Sequence, residues 1–118
     1  MKLRRGDIVL LAFPFADGKG SKVRPAIVVQ CDANNDRLRN TIVAMITSTT
    51  DRAAREPTQL LIDIATQAGK HTGLLHTSAI KCENVFTVEQ SRIARTLGNL
   101  PETMMSRVDA CLRAALAL

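Results

Sequence analysis

The chain has 118 residues and 46% apolar content, enough for one domain spanning residues 1–118 around its own core. Sixteen Lys and Arg against eleven Asp and Glu leave a net charge of +5, a balance that suits a polyanionic partner. No stretch approaches the ~20 consecutive apolar residues of a membrane span, and the run at 8–15 is too short and too soon broken by Pro14 for a signal peptide, so a cytoplasmic protein is expected.

Residues 7–13, rich in Val, Leu and Ile, predict a first strand ended by Pro14. A polar loop with two glycines and two lysines, Lys19 and Lys22, follows at 16–22. Pro25 is placed at a strand start, where its missing N–H is tolerated, and 26–31 predict the second strand. Residues 32–40 read as a polar turn. Residues 41–46, apolar on both faces, predict a central third strand that stops at the hydroxyl cluster Thr47-Ser48-Thr49-Thr50. A long polar loop at 47–57 carries Arg52 and Arg55. A fourth strand is expected at 58–64, a turn at 69–73 and a fifth strand at 74–82.

The periodicity then changes. Thr87-Val88-Glu89-Gln90 has the form of a capping box and predicts a helix to about residue 97, with Ile93 and Leu97 facing inward and Gly98 as C-cap. Pro101 opens a second helix whose Met105, Val108, Leu112 and Leu116 form one apolar stripe. Strands followed by helices predict a mainly β protein with α elements: a small antiparallel sheet or barrel with helices packed at one end. A dinucleotide fold is excluded, because strands and helices do not alternate and no GxGxxG follows a strand. Gly18-Lys19-Gly20-Ser21-Lys22 lacks the Gly-Lys-Ser/Thr spacing and the following helix of a Walker A loop. Cys31, Cys82 and Cys111 have no metal-ligand spacing and read as reduced packing residues. His71 and His76 are not a helical ligand pair, so neither metal nor cofactor is expected.

If the second and third strands pair antiparallel, Arg24 at the start of one and Thr47 at the end of the other meet at one sheet edge. A phosphate under attack builds charge on its non-bridging oxygens, and a guanidinium offers two parallel donors to them. The competing readings are an arginine that merely caps a strand start and a threonine that satisfies a turn amide.

Six motifs in order, Arg5-Gly6-Asp7-Ile8-Val9, Arg24-Pro25-Ala26-Ile27-Val28-Val29, Ile46-Thr47-Ser48, Gly73-Leu74 with Ser78, Phe86-Thr87-Val88 and Leu97-Gly98-Asn99-Leu100, resemble the MazF/PemK family over nearly the whole chain. The resemblance implies a homodimer of SH3-like β-barrels with C-terminal helices, the fold shared with CcdB-like gyrase poisons. It implies a toxin neutralised by a cognate antitoxin: a metal-independent endoribonuclease that cuts single-stranded RNA to 2′,3′-cyclic phosphate and 5′-hydroxyl ends. It places the catalytic pair on Arg24 and Thr47, and the acidic and basic groups of the PemK branch on Glu83 and Lys81, although Glu83-Asn84 departs from the usual Asp-Gln and the PemK loop histidine is absent. Lys19, Lys22, Ser48, Arg52 and Arg55 are candidates for RNA contacts. Phe15 is a candidate for base stacking. The alternative is a non-catalytic module on the same fold that poisons gyrase or binds the antitoxin.

Overall fold

The structure is a computed structural model describing residues 2–14 and 17–118; Phe15 lies outside the described residues. Six strands, β1 (Asp7–Pro14), β2 (Ser21–Val28), β3 (Asn40–Thr47), β4 (Gln59–Ile62), β5 (Ser78–Glu89) and β6 (Ile93–Asn99), form one sheet in the order β4-β5-β3-β2-β1-β6. Every adjacent pair is antiparallel. Among the described residues no ladder joins β4 to β6, so the barrel-like sheet is open along that seam. The third predicted strand lies between two neighbours, as its doubly apolar pattern requires.

Alternation along the strands divides the core in two. Ile8, Ile27, Ala44, Ile46 and Ile80 face helix α3 (Glu102–Leu116) and pack with its Met105, Val108 and Cys111. Val9, Leu11, Ala26, Val28 and Val43 form the second cluster on the other face with Leu3, Phe13 and Ile93. Arg5 ties α3 to the sheet: its Nη2 donates to Asp109 Oδ1 at 2.6 Å and its Nε to the Val29 carbonyl at 2.8 Å.

Several expected elements are corrected. Residues 87–97 are not a helix: β5 continues to Glu89, a 3-10 turn spans Gln90–Arg92, and β6 runs along the free edge of β1. A single C-terminal helix therefore remains. Gln90 does not reach back to Thr87; its Nε2 donates to the carbonyls of Asn35 and Leu38, at 2.9 and 3.0 Å, around the end of helix α1 (Asp32–Arg37). That helix occupies the expected polar turn. Gly98 is a strand residue, and a Cβ there would lie 2.3 Å from the His71 carbonyl oxygen, so its small size serves close packing and not a cap. The 69–73 turn is partly replaced by the short helix α2 (Gln67–Lys70). β2 starts at Ser21, ahead of Pro25, while β5 starts at Ser78. In the α3 stripe Met105 and Val108 are buried, but Leu116 is exposed and Cys111 takes an inward place. Cys82 and Cys111 pack inside as expected, whereas Cys31 is exposed.

Candidate active site

Pro25 shapes the site. The Gly6 N–H donates to the Val28 carbonyl on the β1 side, and the Val29 N–H donates to Ile42 on the β3 side, so alternation turns the Pro25 backbone toward β3. Proline supplies no donor there, and the β2–β3 ladder ends at Ala26↔Met45. Arg24 and Thr47 each lie two residues beyond that last pair, at the same end of the two strands. The strands thus part at the point where the sequence supplies a guanidinium and a hydroxyl.

The end of β3 separates two cavities. The first, about 300 Å³, is bounded by Arg24, Lys22, Ser48 and His76, with Arg95 and Leu97 on the β6 side. Arg24 is half-buried and, among the described residues, forms no ion pair. The second, about 390 Å³, is bounded by Thr47, Arg52, Gln59, Lys81 and Glu83. The Thr47 hydroxyl accepts from the Thr49 N–H at 3.2 Å, the turn contact expected of a strand-end threonine. That contact occupies a lone pair and leaves the hydroxyl proton free for an incoming acceptor.

Glu83 reaches this cavity through a bulge. β3 pairs Ala44 with Val85 but Met45 with Lys81, so residues 82–84 are extra on β5. Bulges re-aim side chains, and here Lys81 and Glu83 both border the second cavity. The Glu83 carboxylate accepts from Gln59 Nε2 at 2.8 Å and from Thr58 Oγ1 at 3.0 Å. Burial pushes its pKa up, but the bonds from Gln59, its own backbone and Thr58, together with the Lys81 charge, outweigh that and hold it below the ordinary 4.5. The neighbouring Cys82 points into the core, where burial raises its thiol pKa to about 12.

The fold therefore gathers Arg24, Lys22 and Ser48 in one cavity and Thr47, Arg52, Lys81 and Glu83 in the next. Lys19 and Arg55 border neither: both are exposed, with the Lys19 N–H on Asp17 and the Arg55 guanidinium on the Asp51 carbonyl. Sequence reading missed Gln59 and Thr58, which carry no signal until the β4–β5 ladder brings them to Glu83. It missed Arg95 because the segment was read as helix. His76, which offers no ligand-pair spacing in the sequence, enters as a lining residue of the first cavity.

An antiparallel sheet backed by one C-terminal helix, with cations at the β2–β3 mouth, is the architecture of a small barrel-like toxin fold. The family model for the PemK-like, MazF-like toxins of type II toxin–antitoxin systems matches residues 4–116, and the chain belongs to that family. It is 32% identical over 119 residues to the endoribonuclease EndoA of Bacillus subtilis (strain 168), covering 100% of this chain and 97% of that protein. Its fold is similar to a mycobacterial endoribonuclease in complex with its cognate antitoxin (TM-score 0.76, 21% identity, 98% of this chain and 96% of that one). It is also similar to the MazE–MazF assembly of Deinococcus radiodurans (TM-score 0.74, 21% identity, 100% and 98%).

Proposed function

We infer that this chain is the endoribonuclease toxin of a toxin–antitoxin pair and cleaves single-stranded RNA without a metal. The observation that supports this most directly is that the β2–β3 ladder ends at Ala26↔Met45, with Arg24 and Thr47 each two residues beyond it. The RNA 2′-hydroxyl attacks the adjacent phosphorus. Arg24 neutralises the charge that builds on the non-bridging oxygens, and the Thr47 hydroxyl donates a further hydrogen bond. Glu83, held ionised by its neighbours, takes the 2′-proton, and Lys81 beside it holds the phosphate. Lys22, Ser48 and Arg52 contact the backbone around the scissile step, and Lys19 and Arg55 extend that track outward. The products are a 2′,3′-cyclic phosphate and a 5′-hydroxyl. The working form is a cytoplasmic homodimer, blocked when the antitoxin covers the cleft; no helix among the described residues is long and apolar enough to cross a membrane.

The test is cleavage of single-stranded RNA in EDTA, with Arg24→Ala as the control. Loss of cutting by at least about 100-fold in a folded variant is expected. Full activity in that variant, or a strict metal requirement, would overturn the assignment. Growth arrest with intact RNA and co-purifying gyrase would instead identify a gyrase poison.

A further inference from the structure

Transesterification at phosphorus needs two proton movements on opposite sides, because the attacking and leaving oxygens lie roughly in line. The base assigned above, Glu83, borders the second cavity. Across the end of β3 the first cavity holds Lys22, Arg24 and Arg95, cations suited to holding charge and poor proton donors at neutral pH, and one imidazole, His76. Among the described residues, the only other histidine, His71, borders neither cavity.

The segment that carries His76 is held downstream of it and, further off, at His71. The Ser78 hydroxyl donates to the His76 carbonyl at 2.8 Å, and the Ile64 N–H donates to the Thr77 hydroxyl at 3.3 Å. Upstream, the Asn99 N–H donates to the His71 carbonyl at 2.9 Å, and Gly73 and Gly98 let this segment lie directly against β6. His76 is exposed at the cavity rim, open to a substrate.

We propose that His76 is the general acid that protonates the 5′-oxygen leaving group. This assignment rests on the endoribonuclease reading. In the step, the 2′-oxygen gives its proton to the Glu83 carboxylate as the new P–O bond forms. The P–O5′ bond breaks as O5′ takes the proton from the His76 imidazolium, leaving neutral imidazole and a 5′-hydroxyl. Both side chains then re-equilibrate with water, and no co-reactant is consumed.

The test uses a single-stranded RNA oligonucleotide containing a site mapped from the 5′-hydroxyl ends that the native protein generates. It is made in two forms, with oxygen or with sulfur at the bridging 5′ position; sulfur leaves without protonation. His76→Ala and His76→Gln are expected to cut the oxygen substrate at least about 100-fold more slowly. Both are expected to match the native rate on the sulfur substrate. An equal loss on both substrates would make His76 a binding or structural residue and overturn the proposal, as would undiminished cutting of the oxygen substrate. If the native protein generates no 5′-hydroxyl ends from cellular RNA, so that no site can be mapped, the endoribonuclease reading itself is overturned, and the acid role with it.

Discussion

Thr47 does two things at once: its oxygen accepts the Thr49 amide, and its proton remains available. Replacement by serine keeps both capacities, while valine removes the proton and leaves the Thr49 amide without that partner. Thr47→Ser is therefore expected to retain most activity and Thr47→Val to lose about 100-fold in kcat, with folding checked by circular dichroism. Glu83 shows the same dependence on its neighbours. Its folded pKa is depressed, so its contribution to stability is present above the ordinary carboxylate value and is lost as pH falls through the folded one. Because Glu83 is exposed, that contribution is screened and small. The informative readout is activity. Gln59→Leu removes the largest of the influences that lower the pKa, so the Glu83 carboxyl rises and the acidic limb of kcat/KM moves to higher pH. An unmoved limb would show that Glu83 does not take the proton.

At the scale of elements, the sequence was read well where hydrophobic pattern and tertiary role agree. The strands at 7–13 and 41–46 are observed within two residues, because an apolar run between polar breaks becomes a buried strand under almost any packing. It was misread at 87–97, where a good local helix signal lost to pairing with β1 and to the bonds Gln90 makes around the end of α1. Of the site, the antiparallel pairing of β2 and β3, which brings Arg24 and Thr47 to the same end of the two strands, was legible from strand order alone. The Glu83 bulge and its Gln59 partner were not, since register shifts and cross-strand contacts leave no periodic trace. Gly98 marks how tightly β6 is packed: a methyl there would press on the carbonyl of His71 and the backbone of Thr72. Gly98→Ala is expected to cost about 1–3 kcal/mol in urea denaturation. It should also weaken cleavage further than that loss explains, because the displaced segment carries His76.

For the molecule as a whole, the net charge of +5 matters through its placement. Lys22, Arg24 and Arg95 border one cavity and Arg52 and Lys81 the other, so the cations converge on the strand end that carries Thr47. A polyanion laid across that end releases counterions in proportion to the phosphates it neutralises, with a slope of roughly −0.7 per contact for a single strand. Binding of an uncleavable 2′-deoxy oligonucleotide by the native protein should weaken steeply with salt. Lys22→Gln and Arg52→Gln should each make the slope shallower by about 0.7, uniformly across oligonucleotide sequences. Lys19→Gln and Arg55→Gln, whose side chains border neither cavity, should change it less. Fluorescence anisotropy titrations at several salt concentrations give these slopes. Equal slopes for all four variants would mean that the RNA does not follow the two cavities and that its path crosses the sheet elsewhere.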